Sequence, residues 1–372
     1  MRIEMGAFEE RLATAGRRDR YPLSCLFEIT PTCNLRCQFC YVALDPYKGP
    51  YLSTAQICRI LDTLEGAGVL WLTFTGGEIF SRRDFPDIYG HALEKGFLVS
   101  LYTNATMVTE AIAALLAERP PFSVEVSIYG ADADHYERTT QIPGSFARFE
   151  RGVERLREAG VSLLMKCPIT TITQDHFPEL VAWCRARGLP FKADASIDAR
   201  HDGGQQPILF RIQPRQANQL RDMVHLFNSG EPAPRGPLPE CSVPAPRRED
   251  GREELYTCGA GRTGFFIDAL GNASHCVIDR TPTFSMLETP WDEVWSRMGE
   301  WVTQPLPESA PCSGCSLRNG CSNCPARSRL ATGSPFEKDP YQCETTHVLN
   351  GVPWPGRPGA PESTRRLAAC AV

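Results

Sequence analysis

From Ser24 to about Asp194, six short apolar runs alternate with amphipathic stretches, and this alternation limits the fold more than any other feature of the chain. The runs occupy 25–30, 70–75, 97–103, 122–128, 161–167 and 190–193. After the first, Ser53 and Gln56 read as a capping box, and Ile57, Ile60, Leu61 and Leu64 mark one helix face. A further helix carries Phe146, Phe149, Val153 and Leu156 on one side and stops near Gly160. Strands alternating with helices predict a parallel βα array. Six units in roughly 170 residues suit a partial (β/α) barrel or an open doubly wound sheet, and periodicity does not choose between them.

Past this array, 194–206 reads as a loop and 213–228 as a helix. Residues 231–247 hold six prolines, a linker composition. From Cys258 to Cys343 apolar runs are short and cysteines dense, so metal is expected to hold this region together. The expected layout is an N-terminal arm (1–23), a core (24–230), a linker (231–257), a cysteine-rich domain (258–350) and a Pro/Gly-rich tail (351–372).

Hydrophobic residues make up 42% and charged residues 22% of the 372, ordinary for a globular chain. A net charge of −5 offers no general basic surface for nucleic acid. The longest apolar runs, such as 111–117, fall short of the ~20 residues of a membrane helix. The N-terminus is not a signal peptide, so the expected location is cytoplasmic. Sixteen cysteines without an export signal point to metal rather than disulfides.

Cys33, Cys37 and Cys40 directly follow the first run with the spacing C-x3-C-x2-C. Three thiols in eight residues can wrap one compact cluster. A fully ligated 4Fe-4S centre takes four thiolates, so three leave one iron open. A zinc knuckle is the structural alternative, but no fourth Cys or His lies within the loop.

On this motif, with Phe39 before its last cysteine, the sequence resembles the radical S-adenosylmethionine (radical SAM) superfamily. The resemblance implies a partial (β/α)6 TIM-like barrel and an open iron that binds the amino and carboxylate groups of SAM. It continues at successive strand ends. Gly76, Gly77 and Glu78 match the segment that holds the SAM amino group, with Glu78 as a carboxylate beside a cationic group. Asn104 and Ser127 follow the third and fourth runs, where polar residues meet ribose hydroxyls or the SAM carboxylate; helix capping is the alternative. Arg148 lies where relatives place a carboxylate-binding arginine, and Ala105 stands where they often have glycine.

Cys258 is followed after twelve residues by Gly271 and four residues later by Cys276; then come Cys312, Cys315, Cys321, Cys324 and Cys343. Segments 265–268 and 273–277 flank Ala-Leu-Gly-Asn, a hairpin signal. Seven thiols can serve two sites, and paired C-x2-C units are also a zinc signature. The order closely resembles the SPASM extension of radical SAM enzymes, except that C-x2-C replaces the usual final C-x3-C. By that resemblance Cys312, Cys315, Cys321 and Cys343 hold a distal auxiliary cluster, and Cys258, Cys276 and Cys324 a proximal one. The chain would then carry three 4Fe-4S clusters. The proximal set is one ligand short, leaving either an open iron or a role for Cys241. Cys25, Cys58, Cys167 and Cys184 read as small core residues, His275 as a hairpin-surface residue, and Trp291 and Trp295 as core.

The resemblance implies an enzyme that reductively cleaves SAM to a 5′-deoxyadenosyl radical, which takes hydrogen from an unactivated C–H bond. A flavodoxin- or ferredoxin-type protein is the expected reductant. The expected substrate is a peptide or small protein, and the expected product a thioether or carbon–carbon crosslink in a ribosomally made peptide. Only 24 residues precede the first run, too few for a recognition domain, so either a separate peptide-recognition protein is expected or the substrate is not a leader peptide. One alternative is a formylglycine-generating sulfatase maturase, although Val277 stands where that group places an acidic base. Others are tetrapyrrole side-chain modification and a non-enzymatic electron-transfer or zinc-binding module. No general base is assigned; Asp194, Asp198 and Asp202 near the sixth run are candidates, but each reads first as a solvated loop carboxylate.

Overall fold

The computed structural model describes residues 5–42, 50–231, 248, 251–318, 321 and 324–354. Cys241, Cys370 and most of the expected linker and tail lie outside the described residues.

The expected N-terminal arm contains a helix, α1 (Met5–Asp19), with Arg17 and Arg18 in its last turn, where cations suit the helix dipole. Six strands follow: β1 (Ser24–Thr30), β2 (Trp71–Gly76), β3 (Leu98–Thr103), β4 (Ser123–Ser127), β5 (Leu163–Pro168) and β6 (Phe191–Asp194). Between them lie α2 (Thr54–Gly66), α3 (Phe85–Glu94), α4 (Glu110–Glu118), α5 (Ala133–Thr140), α6 (Ser145–Glu158) and α7 (Phe177–Ala186). The capping box at Ser53 and Gln56 is formed, and Ile57, Ile60, Leu61 and Leu64 are buried.

All neighbouring pairs among β1–β6 are parallel, and their order in the sheet is the chain order. A doubly wound sheet reverses direction at a switch point. This sheet never does, so it winds as a partial (β/α)6 barrel. The strand residues sort by face. Phe27, Ile29, Leu72, Phe74, Leu101, Val124, Val126 and Met165 are fully buried in the main core. Leu26, Tyr102, Glu125, Ser127 and Lys166 alternate with them and line a cavity. A closed barrel packs its interior with branched apolar residues; here several interior positions are polar and border open space.

After α8 (Pro214–Ser229), the cysteine-rich region continues the same sheet. β7 (Gly264–Ile267) pairs in parallel with β1, from Ser24↔Gly264 to Phe27↔Ile267. β8 (Asn272–Ser274) and β9 (Phe284–Ser285) add antiparallel strands. The β7–β8 turn uses Gly271 at φ +84°, a left-handed conformation that explains glycine at this point of the cysteine pattern. Helices α9 (Trp291–Val302), α10 (Pro325–Thr332) and α11 (Pro340–Leu349) complete the described region. Trp291 and Trp295 are half-buried and pack on Phe265, with ring centroids 5.0 and 5.8 Å away. No described helix is long and apolar enough to cross a membrane.

Candidate active site

The loop after β1 carries Cys33, Cys37 and Cys40 into the wall of a cavity of about 660 Å³ at the C-terminal ends of the strands. Phe39, Gly76, Gly77, Asn104 and Ser127 line the same cavity. Burial, followed by Glu78 and Cys40, pushes the Cys33 thiol up to about 11. Burial, followed by Cys40 and Cys33, holds Cys37 well above the ordinary thiol range. Thiolates in such a setting require cationic charge beside them, which a metal centre supplies.

The β2 loop is fastened to the β1 loop. Gly77 N–H donates to the Thr30 carbonyl and Glu78 N–H to the Thr32 carbonyl, both at 2.8 Å. A Cβ on Gly77 would lie 2.2 Å from the Thr32 carbonyl oxygen, so only glycine permits this approach. The bare backbone of Gly76 and Gly77 remains on the cavity wall.

Glu78 occupies a different place from the one expected. Its side chain is completely buried behind the wall rather than on it. One carboxylate oxygen accepts from the Thr103 hydroxyl (2.7 Å) and Phe80 N–H (3.2 Å), and the other from Asn104 N–H (2.7 Å). Burial nevertheless pushes its pKa up to about 7. Glu78 therefore ties the β2 loop to the β3 loop and fixes where Asn104 stands. Arg148 is half-buried on α6 and is not part of the cavity lining.

Tyr129, two residues beyond Ser127, is a site residue that the sequence reading missed. It lines the cavity and packs its ring edge-on against Phe39 at 5.7 Å. Its position in the β4 loop was the available signal. Deeper in the barrel, the Lys166 ammonium lies 3.3 Å from Glu125 and 4.6 Å from the Tyr102 ring centroid. Asp194 and Asp198 also line the cavity, and Asp198 pairs with Arg327 of α10 at 2.8 Å. Asp202 pairs with Arg200 at 2.6 Å and is not part of the lining.

The seven C-terminal thiols gather in two groups. Cys343 feels the charges of Cys321, Cys312 and Cys315. Cys276 feels Cys324 and Cys258. In both cases burial is the larger cause, pushing Cys276 and Cys343 up to about 12. His275 is completely buried against Tyr256, with ring centroids 4.8 Å apart, rather than on a hairpin surface. The strand ends at Ser274, so alternation stops predicting exposure there. Cys25, Cys167 and Cys184 are buried in the core, while Cys58 is half-buried.

Residues 27–184 match the radical SAM superfamily. The matched span runs from β1 into α7, the barrel itself. An AdoMet-dependent heme synthase of Oleidesulfovibrio alaskensis is 25% identical over 338 residues, covering 84% of this chain and 85% of that protein. The mycofactocin maturase MftC of Mycobacterium ulcerans is 26% identical over 329 residues, covering 87% and 88%. Among solved structures, Streptococcus suis SuiB bound to S-adenosylmethionine superposes with a TM-score of 0.69 at 19% identity, over 91% of this chain and 83% of that one. SuiB is also known bound to its precursor peptide SuiA, at a TM-score of 0.68 and 17% identity over 90% and 79%.

The radical SAM match implies a 4Fe-4S cluster and SAM, and the site residues suit both. Cys33, Cys37 and Cys40 offer three thiols, one fewer than a cluster's irons, beside a wall of bare glycine backbone. Among the described residues, no three His, Cys, Asp or Glu side chains close on one point as a single ion requires. Cluster thiolates need no such convergence, because each takes a different iron.

Proposed function

We propose that this radical SAM enzyme takes hydrogen from a peptide or small-protein substrate and forms a thioether or carbon–carbon crosslink in a ribosomally made peptide. One observation carries the reading. A single cavity is walled by Cys33, Cys37, Cys40, Gly76 and Gly77 on one side, and by Val277, Ile278 and Arg327 of the cysteine-rich region on the other. A substrate there meets both metal-binding regions.

When bound, the cluster and SAM supply the electron and the carbon radical that open an unactivated C–H bond. The protein's part is to hold, orient and exclude water. Cys33, Cys37 and Cys40 would hold the cluster. Gly76, Gly77, Asn104 and Ser127 would meet SAM, with Phe39 and Tyr129 closing the wall. Cys312, Cys315, Cys321 and Cys343 would hold a distal auxiliary cluster, and Cys258, Cys276 and Cys324 a proximal one, giving three 4Fe-4S clusters. A flavodoxin- or ferredoxin-type reductant and a separate peptide-recognition protein belong to the same proposal.

The relative named as a maturase and the peptide-bound SuiB structure support a peptide substrate. The apolar Val277 on the cavity wall weighs against formylglycine formation, which calls for a base there. A second reading, tetrapyrrole side-chain modification, is favoured by the relatives named AdoMet-dependent heme synthase.

The test is anaerobic reconstitution followed by dithionite and SAM. Release of 5′-deoxyadenosine is expected, and none from iron-loaded protein would end the radical SAM reading. Short cysteine-containing precursor peptides and an iron tetrapyrrole are then offered separately. Loss of two hydrogen masses from a peptide supports crosslinking; turnover of the tetrapyrrole alone selects the second reading.

A further inference from the structure

One neutral side chain aims a hydrogen-bond donor at a thiol of the first cysteine loop. The Asn104 Nδ2 group lies 3.8 Å from Cys33 Sγ and donates to Asn34 Oδ1 at 3.2 Å. Its orientation is fixed by chemistry. The Asn104 Oδ1 atom accepts from the Thr106 backbone N–H at 2.9 Å, and a backbone N–H can only donate. The Thr106 hydroxyl reaches the same oxygen at 2.6 Å. The amide NH2 must therefore face Asn34 and Cys33. Glu78 holds the backbone behind it.

A backbone donor joins Asn104 at this sulfur: Leu35 N–H lies 3.4 Å from Cys33 Sγ.

We propose that Asn104 is a positioning residue whose side-chain donor raises the reduction potential of the cluster held by Cys33, Cys37 and Cys40. The proposal rests on these three cysteines being the cluster ligands. Its direction follows from charge. Reduction adds negative charge that the sulfurs share, and a fixed donor stabilises the more negative state more strongly.

The test is an EPR-monitored redox titration of the anaerobically reconstituted full chain. The relevant wave is the one lost in the Cys33→Ala/Cys37→Ala/Cys40→Ala variant; its absence from wild-type protein would mean that the ligand assignment, not the tuning, has failed. Asn104→Ala and Asn104→Leu both remove the amide donor. Each is expected to move that wave to more negative potential, while every other wave stays in place. A loss of deuterium sensitivity in the Fe–S stretching bands should accompany the shift. An unmoved wave in either variant that loads iron overturns the proposal, and failure of both to load iron overturns it as well, because Asn104 would then be structural. A uniform shift of all waves overturns it too, because that is the mark of a general structural change.

Discussion

Phe27, Phe74, Phe149 and Phe177 sit in one continuous apolar cluster that joins the barrel's strands to its helices and extends to Phe265, Ile267 and Val294. The separate cluster of the cysteine-rich region has six buried members: Leu255, Tyr256, Val302, Leu306, Ala310 and Ala326. The barrel can hold its shape by burial alone, whereas the last part of the chain has too few apolar side chains to offset the entropy of ordering it. The two regions meet at β7, β8 and α9, which share the barrel's sheet and core although they lie among the auxiliary cysteines. Metal dependence should therefore concentrate beyond α9.

The largest expected effect separates chemistry from fold. Replacing Cys33, Cys37 and Cys40 together by alanine should reduce SAM cleavage to background and leave the far-ultraviolet circular dichroism of the barrel intact. A collapse of helical signal would show that the barrel, too, depends on metal.

Next comes the region with the small core. Cys312→Ala/Cys315→Ala should lower iron by ~4 atoms per chain and open the segment after α9 to limited proteolysis, with the barrel still resistant. Proteolysis spreading equally into β2–β5 would erase the contrast.

A change in the barrel's own core should act whether or not iron is present. Phe74 is fully buried, and Phe74→Ala should cost about 3–5 kcal/mol in chemical denaturation of both loaded and iron-free protein. A cost confined to the loaded form would contradict a self-supporting barrel.

The smallest effect concerns Glu78. Its pKa is raised from an ordinary 4.5 to about 7, so the folded state binds more protons than the unfolded state between those values. Stability should fall as pH rises from about 4.5 to about 7 and then level off. Glu78→Gln in iron-free protein should lack this part of the slope. Equal slopes in the two proteins would remove the linkage argument.

Much of this was legible in the sequence because it depends on local rules. The six strands start and end within two residues of the apolar runs that predicted them, and the Ser53–Gln56 cap formed as read. The three-cysteine loop and the glycine pair announced the site, since close thiol spacing and bare backbone are written along the chain. What escaped depends on residues distant in sequence. Glu78 looks like a ligand until its hydrogen bonds to the β3 loop are seen. Tyr129 gains its place only when β4 brings it beside the cysteine loop. The parallel pairing of β7 with β1 leaves no local trace, because strand propensity does not specify a partner.

That pairing also has a consequence for the order of synthesis. β1 leaves the ribosome before β2 and obtains one neighbour when β2 follows. Its other side stays bare until Gly264–Ile267 has been made. During that interval the nascent half-barrel presents an unprotected edge rich in buried-type residues, the kind of surface that recruits strands from other chains. Crowded expression should therefore trap this protein as aggregate before Gly264–Ile267 emerges, whereas slow translation should favour the soluble form.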